Sequence, residues 1–166
     1  MVILILGLPG SGKSYFAGKL AELIDADHVN SDRLRKELFL KRSYSELEKT
    51  KVYQAMLGKM EQAVTKKKNV VLDATFHKKE TRELFKRNTE ERIHFIEVSA
   101  DEDISRERLK KSRPYSEADF EVYQEMRQKW EPLEEPCLAL ESTNTNIDEM
   151  LQKAMLYLKD DKRANR

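Results

Sequence analysis

The run Gly7-Leu8-Pro9-Gly10-Ser11-Gly12-Lys13-Ser14, directly behind the apolar stretch Val2-Ile3-Leu4-Ile5-Leu6, constrains the fold of this chain more than any other feature. It is the phosphate-loop pattern G-x-x-x-x-G-K-[ST] in a strand–loop–helix setting. An apolar run without alternation reads as a strand buried on both faces, as in a parallel sheet. The glycines let successive backbone N–H groups turn inward around an anion. A helix opening at about Lys13 adds the positive end of its dipole. Lys13 reaches the β- and γ-phosphates, and the Ser14 hydroxyl suits Mg²⁺. Gly7, Pro9, Gly10, Ser11, Gly12, Lys13 and Ser14 are therefore expected to bind a nucleoside triphosphate.

Downstream, short apolar runs alternate with charged amphipathic stretches. Further strands are predicted over 26–29, 69–73, 93–98 and 137–140. Helices are predicted over 13–24, 33–40, from the cap Ser45 to about 67, 79–88, from Asp101 or Asp103 to about 111, 116 to about 130, and 147–158. Pro114 disfavours helix just before it, so 112–116 should be a break. Strand–helix alternation implies right-handed parallel crossovers. The expected fold is α/β: a three-layer P-loop NTPase sandwich whose parallel sheet of about five strands is flanked by helices. One domain over 1–166 is expected, with a helical lid around 106–118 and a polar tail from about 159. Ligands of such sheets lie outside the carboxyl ends of the strands. The segments 7–14, 30–32, 73–75 and the one after Val98 should converge there.

Composition narrows the function. At 166 residues the chain can fill one core. Charged residues make up 37% of it, yet the formal net charge is only +1. A globally basic nucleic-acid binder is not indicated, and any such site must be a local patch. Cys137 is the single cysteine, so no intrachain disulfide is possible, and a reducing, cytoplasmic compartment is expected. The N-terminal apolar run is too short for a signal peptide or a membrane span, so no membrane partner is expected.

Several residues at the expected strand ends carry chemistry. Asp32 can accept the proton of an attacking hydroxyl, or cap the next helix. Arg35 lies one helical turn on, on the same face, and can grip an anionic acceptor or remain a surface arginine. Asp73 closes the apolar run Val70-Val71-Leu72 and can hold a Mg²⁺-bound water, hydrogen-bond Ser14 or the acceptor, or cap a turn. Thr75 and His77 follow, His77 reading as a loop histidine. Arg106, Arg108, Lys110, Lys111 and Arg113 lead into the break at Pro114 and suit a lid that neutralises transition-state charge, or a solvated face. Arg113 is the first choice for the lid arginine and Arg106 the second.

On residues 7–14, on Asn30-Ser31-Asp32-Arg33-Leu34-Arg35, on Leu72-Asp73-Ala74-Thr75 with Arg82 beyond it, and on the basic stretch 106–113 followed by 119–131, the chain resembles P-loop kinases of the polynucleotide 5′-kinase group over almost its whole length. The resemblance implies transfer of the γ-phosphate of ATP, or another NTP, with Mg²⁺, to the 5′-hydroxyl ends of RNA or DNA. It implies Asp32 as general base, Arg35 as clamp on the acceptor phosphate, and Lys13 and Arg113 on the donor. Asp73, Thr75 and Arg82 join the acceptor side, with Ser14 and Asp73 on the metal. The phosphatase domain of bifunctional end-healing enzymes does not fit in this length, so a partner phosphatase or ligase would be a separate chain or a fused domain. Small-molecule kinases of the gluconate-kinase type share the same features, and the near-neutral charge favours a metabolite acceptor. A nucleotide-binding switch without an acceptor is the third reading.

Overall fold

Strands β1 (Val2–Leu6), β2 (Ala26–Asn30), β3 (Asn69–Asp73), β4 (Ile93–Ser99) and β5 (Cys137–Glu141) form one parallel sheet in the order β2-β3-β1-β4-β5. The computed structural model describes residues 1–113 and 115–164, with side chains through Lys159. Helices α1 (Lys13–Leu23), α2 (Ser31–Leu38), α3 (Glu46–Thr65), α4 (Lys79–Arg87), α5 (Glu102–Leu109), α6 (Phe120–Gln128) and α7 (Ile147–Ala164) flank it. The expected three-layer α/β fold is the one observed.

Every residue of β1 is buried, because side chains alternate between two covered faces. Val2, Leu4 and Leu6 pack with Val52, Met56 and Met60 of α3 and Phe85 of α4. Ile3 and Ile5 pack with Phe16 and Leu20 of α1 and Met150, Ala154 and Leu158 of α7. The chain moves from β1 outward to β2, returns to β3, then crosses to β4 on the other side. The carboxyl end of β1 is thus a switch point where connections diverge and leave a crevice. Gly7 leaves β1 so close to β4 that a Cβ there would sit 2.2 Å from the Val98 carbonyl oxygen. Only glycine lets the loop turn into the crevice at this point.

Several boundaries differ from expectation, three helix boundaries among them. Helix α2 begins at Ser31, two residues early, because Asn30 caps it by accepting the Arg33 N–H at 2.9 Å. Helix α6 begins at Phe120 rather than 116, because Asp119 takes the Val122 N–H at 3.0 Å. The residues just before it are held elsewhere: Glu117 accepts from the Tyr44 hydroxyl at 2.8 Å and from Arg42. Helix α7 continues through the polar stretch to Ala164. Pro114, the expected breaker, and residues 165–166 lie outside the described residues. Among the described residues no helix is long and apolar enough to cross a membrane.

Candidate active site

The phosphate loop lies in the crevice with its donors unspent on acidic neighbours. Gly12 caps α1 in the left-handed region (φ 85°), where a Cβ would meet Ser142 Oγ at 2.7 Å and Arg108 Nη1 at 3.0 Å. The Ser11 N–H closes a turn onto the Leu8 carbonyl at 3.2 Å, and Lys13 Nζ donates to the same oxygen at 3.4 Å. The first turn of α1 carries no acidic residue, so the positive helix end faces the loop uncompensated. Ser11 Oγ and Asp73 Oδ1 are buried polar atoms without a hydrogen-bond partner. Orphans of this kind are rare and call for a ligand or water.

The sheet register sets the other wall. Asn30 of β2 is the direct partner of Asp73 of β3. The Asn30 amide nitrogen donates to Asp73 Oδ2 at 2.5 Å and to Ser14 Oγ at 3.3 Å, and His28 Nε2 faces the same carboxylate oxygen at 3.4 Å. Asp73 is fully buried. Burial alone would raise its pKa, but His28, the Lys13 charge and Asn30 outweigh that and hold it below the ordinary carboxylate value. It is therefore anionic at neutral pH. The Ser14 hydroxyl and the orphan Asp73 Oδ1 are hard oxygen donors and suit a hydrated Mg²⁺ that also binds phosphate oxygens. Among the described residues no group of three or more His, Cys, Asp or Glu could hold a metal by itself. A metal held largely by its nucleotide needs none.

Because Asn30 caps α2, the Asp32 carboxylate in the first turn is not consumed as a cap. Arg35 Nη1 donates to Asp32 Oδ1 at 3.1 Å, and Arg35 Nε lies 3.0 Å from Glu48 Oε1. The guanidinium also sits over the Tyr44 ring, 5.0 Å from its centroid. With its side chain only 11% exposed, Arg35 is braced between two carboxylates and an aromatic face. It orients Asp32 rather than projecting into open solvent.

Glu48 was not anticipated from the sequence, though Ser45-x-x-Glu48 has capping-box spacing. Ser45 Oγ indeed accepts the Glu48 N–H at 3.2 Å. The carboxylate reaches further back, taking the Ser43 N–H at 2.6 Å and the Ser43 hydroxyl at 2.9 Å. Burial raises its pKa, but these donors, the Tyr44 N–H and Arg35 bring it below the ordinary value. Tyr53 forms the neighbouring wall, tilted against Phe76 and edge-on to Phe85. Burial pushes its phenol up to about 12 against the Phe76 N–H and the Arg35 charge, with Asp32 adding to the rise.

The lid residues separate by direction. Arg113 is half-buried, donates to the Ala118 carbonyl and lies within the field of Asp32. Arg106, expected as the second lid arginine, is turned away: it pairs with Glu102 at 3.0 Å and covers the Phe120 ring at 4.0 Å. Of these three arginines it is Arg108 that contacts the phosphate loop, donating to the Gly10 carbonyl at 3.2 Å, and also to Ser142 Oγ at 2.9 Å and the Thr143 carbonyl at 2.8 Å. Arg82, expected on the acceptor side, is 1% exposed and bonds the carbonyls of Phe76 at 2.9 Å and Pro132 at 3.0 Å. The arginine faces inward rather than toward an acceptor, tying the loop after β3 to the segment after α6. Thr75 lies half-buried beyond Asp73 on the same loop. His77 is buried beside it, its pKa lowered by burial and by Lys78 and Lys49. Tyr115 rests on α2, its ring beneath Arg33 (5.2 Å) and Lys36 (5.5 Å).

A sequence model of the AAA domain family, AAA_33, matches residues 2–133. A search of curated proteins finds no match. Among solved structures, the chain is similar to a gluconokinase from Sinorhizobium meliloti 1021 (TM-score 0.74, 16% identity, 96% of this chain and 91% of that one). It is also similar to the Mycobacterium tuberculosis APS kinase CysC in complex with AMPPNP and APS (TM-score 0.69, 18% identity, 95% and 96%). A shikimate kinase from Bacteroides thetaiotaomicron matches as well (TM-score 0.66, 16% identity, 96% and 98%). At these identities the likeness is one of fold.

Proposed function

The chain belongs to the AAA domain family of P-loop proteins and has the P-loop kinase fold, and from that premise we propose that it transfers the γ-phosphoryl group of ATP to a hydroxyl of a small-molecule acceptor. One observation carries the acceptor class. Tyr115 packs against Arg33 of α2 and Glu117 is fastened to Tyr44 and Arg42 of the loop before α3, so these residues lie over the helix that carries Asp32. A helix covered in this way favours a compact acceptor over a polymer. The gluconokinase, APS kinase and shikimate kinase of like fold act as precedents for it.

In this reading the acceptor hydroxyl lies between Asp32 and the γ-phosphate. Its oxygen attacks phosphorus in line, Asp32 takes the proton, and the bond to the β-phosphate oxygen breaks. Arg35 and Glu48 keep the Asp32 carboxylate aimed. The loop N–H groups, Lys13 and Arg113 offset the charge that builds on the phosphoryl oxygens. Mg²⁺, bound near Ser14 and Asp73, would supply further charge neutralisation there. Arg108 fastens the loop to the β5–α7 connection.

The 5′-end kinase reading stands second. Its support is the Asn30-to-Arg35 motif and the Tyr115 ring, 41% exposed beside Arg33 and Lys36, on which a base and its phosphate can rest. One experiment separates the two. Labelled γ-phosphate is offered from ATP and Mg²⁺ to a panel of hydroxylated sugar acids, cyclic hydroxy acids and nucleotide alcohols, and to 5′-hydroxyl oligonucleotides, with Asp32→Ala as control. Label on a small acceptor that vanishes in the variant supports the proposal. Label on the oligonucleotide alone would overturn the acceptor class, and ATP hydrolysis unchanged by every acceptor and by Asp32→Ala would overturn the kinase reading.

A further inference from the structure

Asn30 is not among the residues that touch donor or acceptor in the reading above, yet three parts of the site meet on its side chain. Its oxygen accepts the Arg33 N–H at 2.9 Å, capping the helix that carries Asp32 and Arg35. That bond fixes the amide's orientation, because only the oxygen can accept. The nitrogen must then face the sheet, where it donates to Asp73 Oδ2 at 2.5 Å and to Ser14 Oγ at 3.3 Å. The residue is 8% exposed, so water does not compete for these bonds.

The consequences are geometric. Two β2 side chains, Asn30 and His28, both address Oδ2 of Asp73 and leave Oδ1 buried without a partner. The carboxylate is thereby held in one rotation through Oδ2, with Oδ1 left buried and unpaired, and the group lies within the field of the Lys13 charge. The same amide engages Ser14 Oγ, the other oxygen suited to the cation. A β-strand register pair, Asn30 with Asp73, thus ties the cation oxygens to the first turn of the base-bearing helix.

We infer that Asn30 is a positioning residue that holds Ser14 and Asp73 in register with α2, so that a divalent cation arriving with a nucleoside diphosphate is bound tightly and is sensed at the helix of Asp32. The inference rests on the nucleotide-binding part of the reading above and not on the acceptor class.

The test uses Asn30→Ser and Asn30→Thr. Both keep an oxygen able to cap α2, and neither side chain reaches Asp73. ADP affinity is measured by calorimetry with Mg²⁺ and with EDTA, and amide exchange at Arg33 and Leu34 is followed with and without Mg·ADP. The expected result is a folded protein with a lowered melting temperature, since buried Asp73 loses a donor, near wild-type metal-free ADP affinity, a tenfold or greater loss of the Mg²⁺-dependent gain in affinity, and loss of the Mg·ADP-induced slowing of exchange in α2. An unchanged Mg²⁺ gain would overturn the inference, since the cap alone would then account for Asn30. Equal losses with and without Mg²⁺ would also overturn it, by assigning Asn30 to general loop packing. A wild-type protein that binds no ADP would overturn the nucleotide reading itself, and this inference with it.

Discussion

Replacing Glu48 by Gln should destabilise the protein by about 3 kcal/mol, and the size follows from the bonding count. Oε2 accepts two hydrogen bonds from Ser43 while Oε1 faces Arg35 Nε at 3.0 Å. A glutamine has one acceptor oxygen. Turned toward Ser43, its NH₂ group confronts the Arg35 donor; turned toward Arg35, it confronts both Ser43 donors. Each charge-assisted bond lost at a buried site costs about 1.5–3 kcal/mol. An uncompensated charge adds to that, and at 3% exposure Glu48 has little water to relieve the guanidinium. For a chain of this length about 3 kcal/mol corresponds to a melting shift of roughly 6–12 °C. Urea unfolding at neutral pH, read at constant m, measures it. A double-mutant cycle with Arg35→Met isolates the pair, with an expected coupling of about 1 kcal/mol or more. The pH sign is fixed as well. The folded pKa of Glu48 lies below its ordinary 4.5, so its stabilisation is present above that value and is lost as pH falls through the folded value. The gap between wild type and variant should close on acidification. A cost below about 1 kcal/mol, or strict additivity with Arg35→Met, would refute the claim that this carboxylate anchors the brace on Asp32.

Other expectations follow from the same geometry. Asp32→Asn should lower phosphoryl transfer by about 10²–10⁴-fold with ADP affinity unchanged; steady-state kinetics beside calorimetry checks both. Arg82→Met should cost about 3 kcal/mol, because the Phe76 and Pro132 carbonyls lose their buried donor; near wild-type urea stability would show that water replaces it. His77 has a folded pKa below its ordinary 6.5, so wild-type stability should decline as pH falls below that value, and melting curves of His77→Gln should lack this part of the slope. Gly12→Ala should weaken ADP binding and cost about 1–2 kcal/mol, since a left-handed φ of 85° is strained for any Cβ; unchanged melting and binding would mean the loop relaxes without penalty.

How much of this was legible in the sequence depends on whether the governing contacts are local. The loop 7–14, the buried character of β1 and the strand-end position of Asp73 all follow from neighbours in the chain, and the structure has them where the pattern puts them. The α2 cap is local too, but Asn30, Ser31 and Asp32 compete for one role by chemistry alone. The register with β3 is what turns Asn30 inward and leaves Asp32 unspent. The basic stretch shows the opposite limit. Helical phase can say that Arg106 and Arg108 point apart, but not which of them faces the loop. That depends on Ser142 and Thr143, some thirty-five residues on, and on the strand order that brings β5 beside β4.

Arg82 and Arg35 make the same distinction in terms of charge. Both are arginines near expected acceptor residues, and a sequence offers the same reading for each: a cation waiting for an anion. In the folded chain Arg82 meets two carbonyls and Arg35 two carboxylates. A guanidinium satisfied by carbonyls keeps its full positive charge but has no route to the site, so it is a tie between loops. One satisfied by carboxylates is neutralised locally, and the partner it aligns becomes the functional group. Arg113 differs from both: it donates to a single carbonyl while lying in the field of the Asp32 charge. In the proposed kinase reading it is the one of the three whose charge is left for the phosphoryl group.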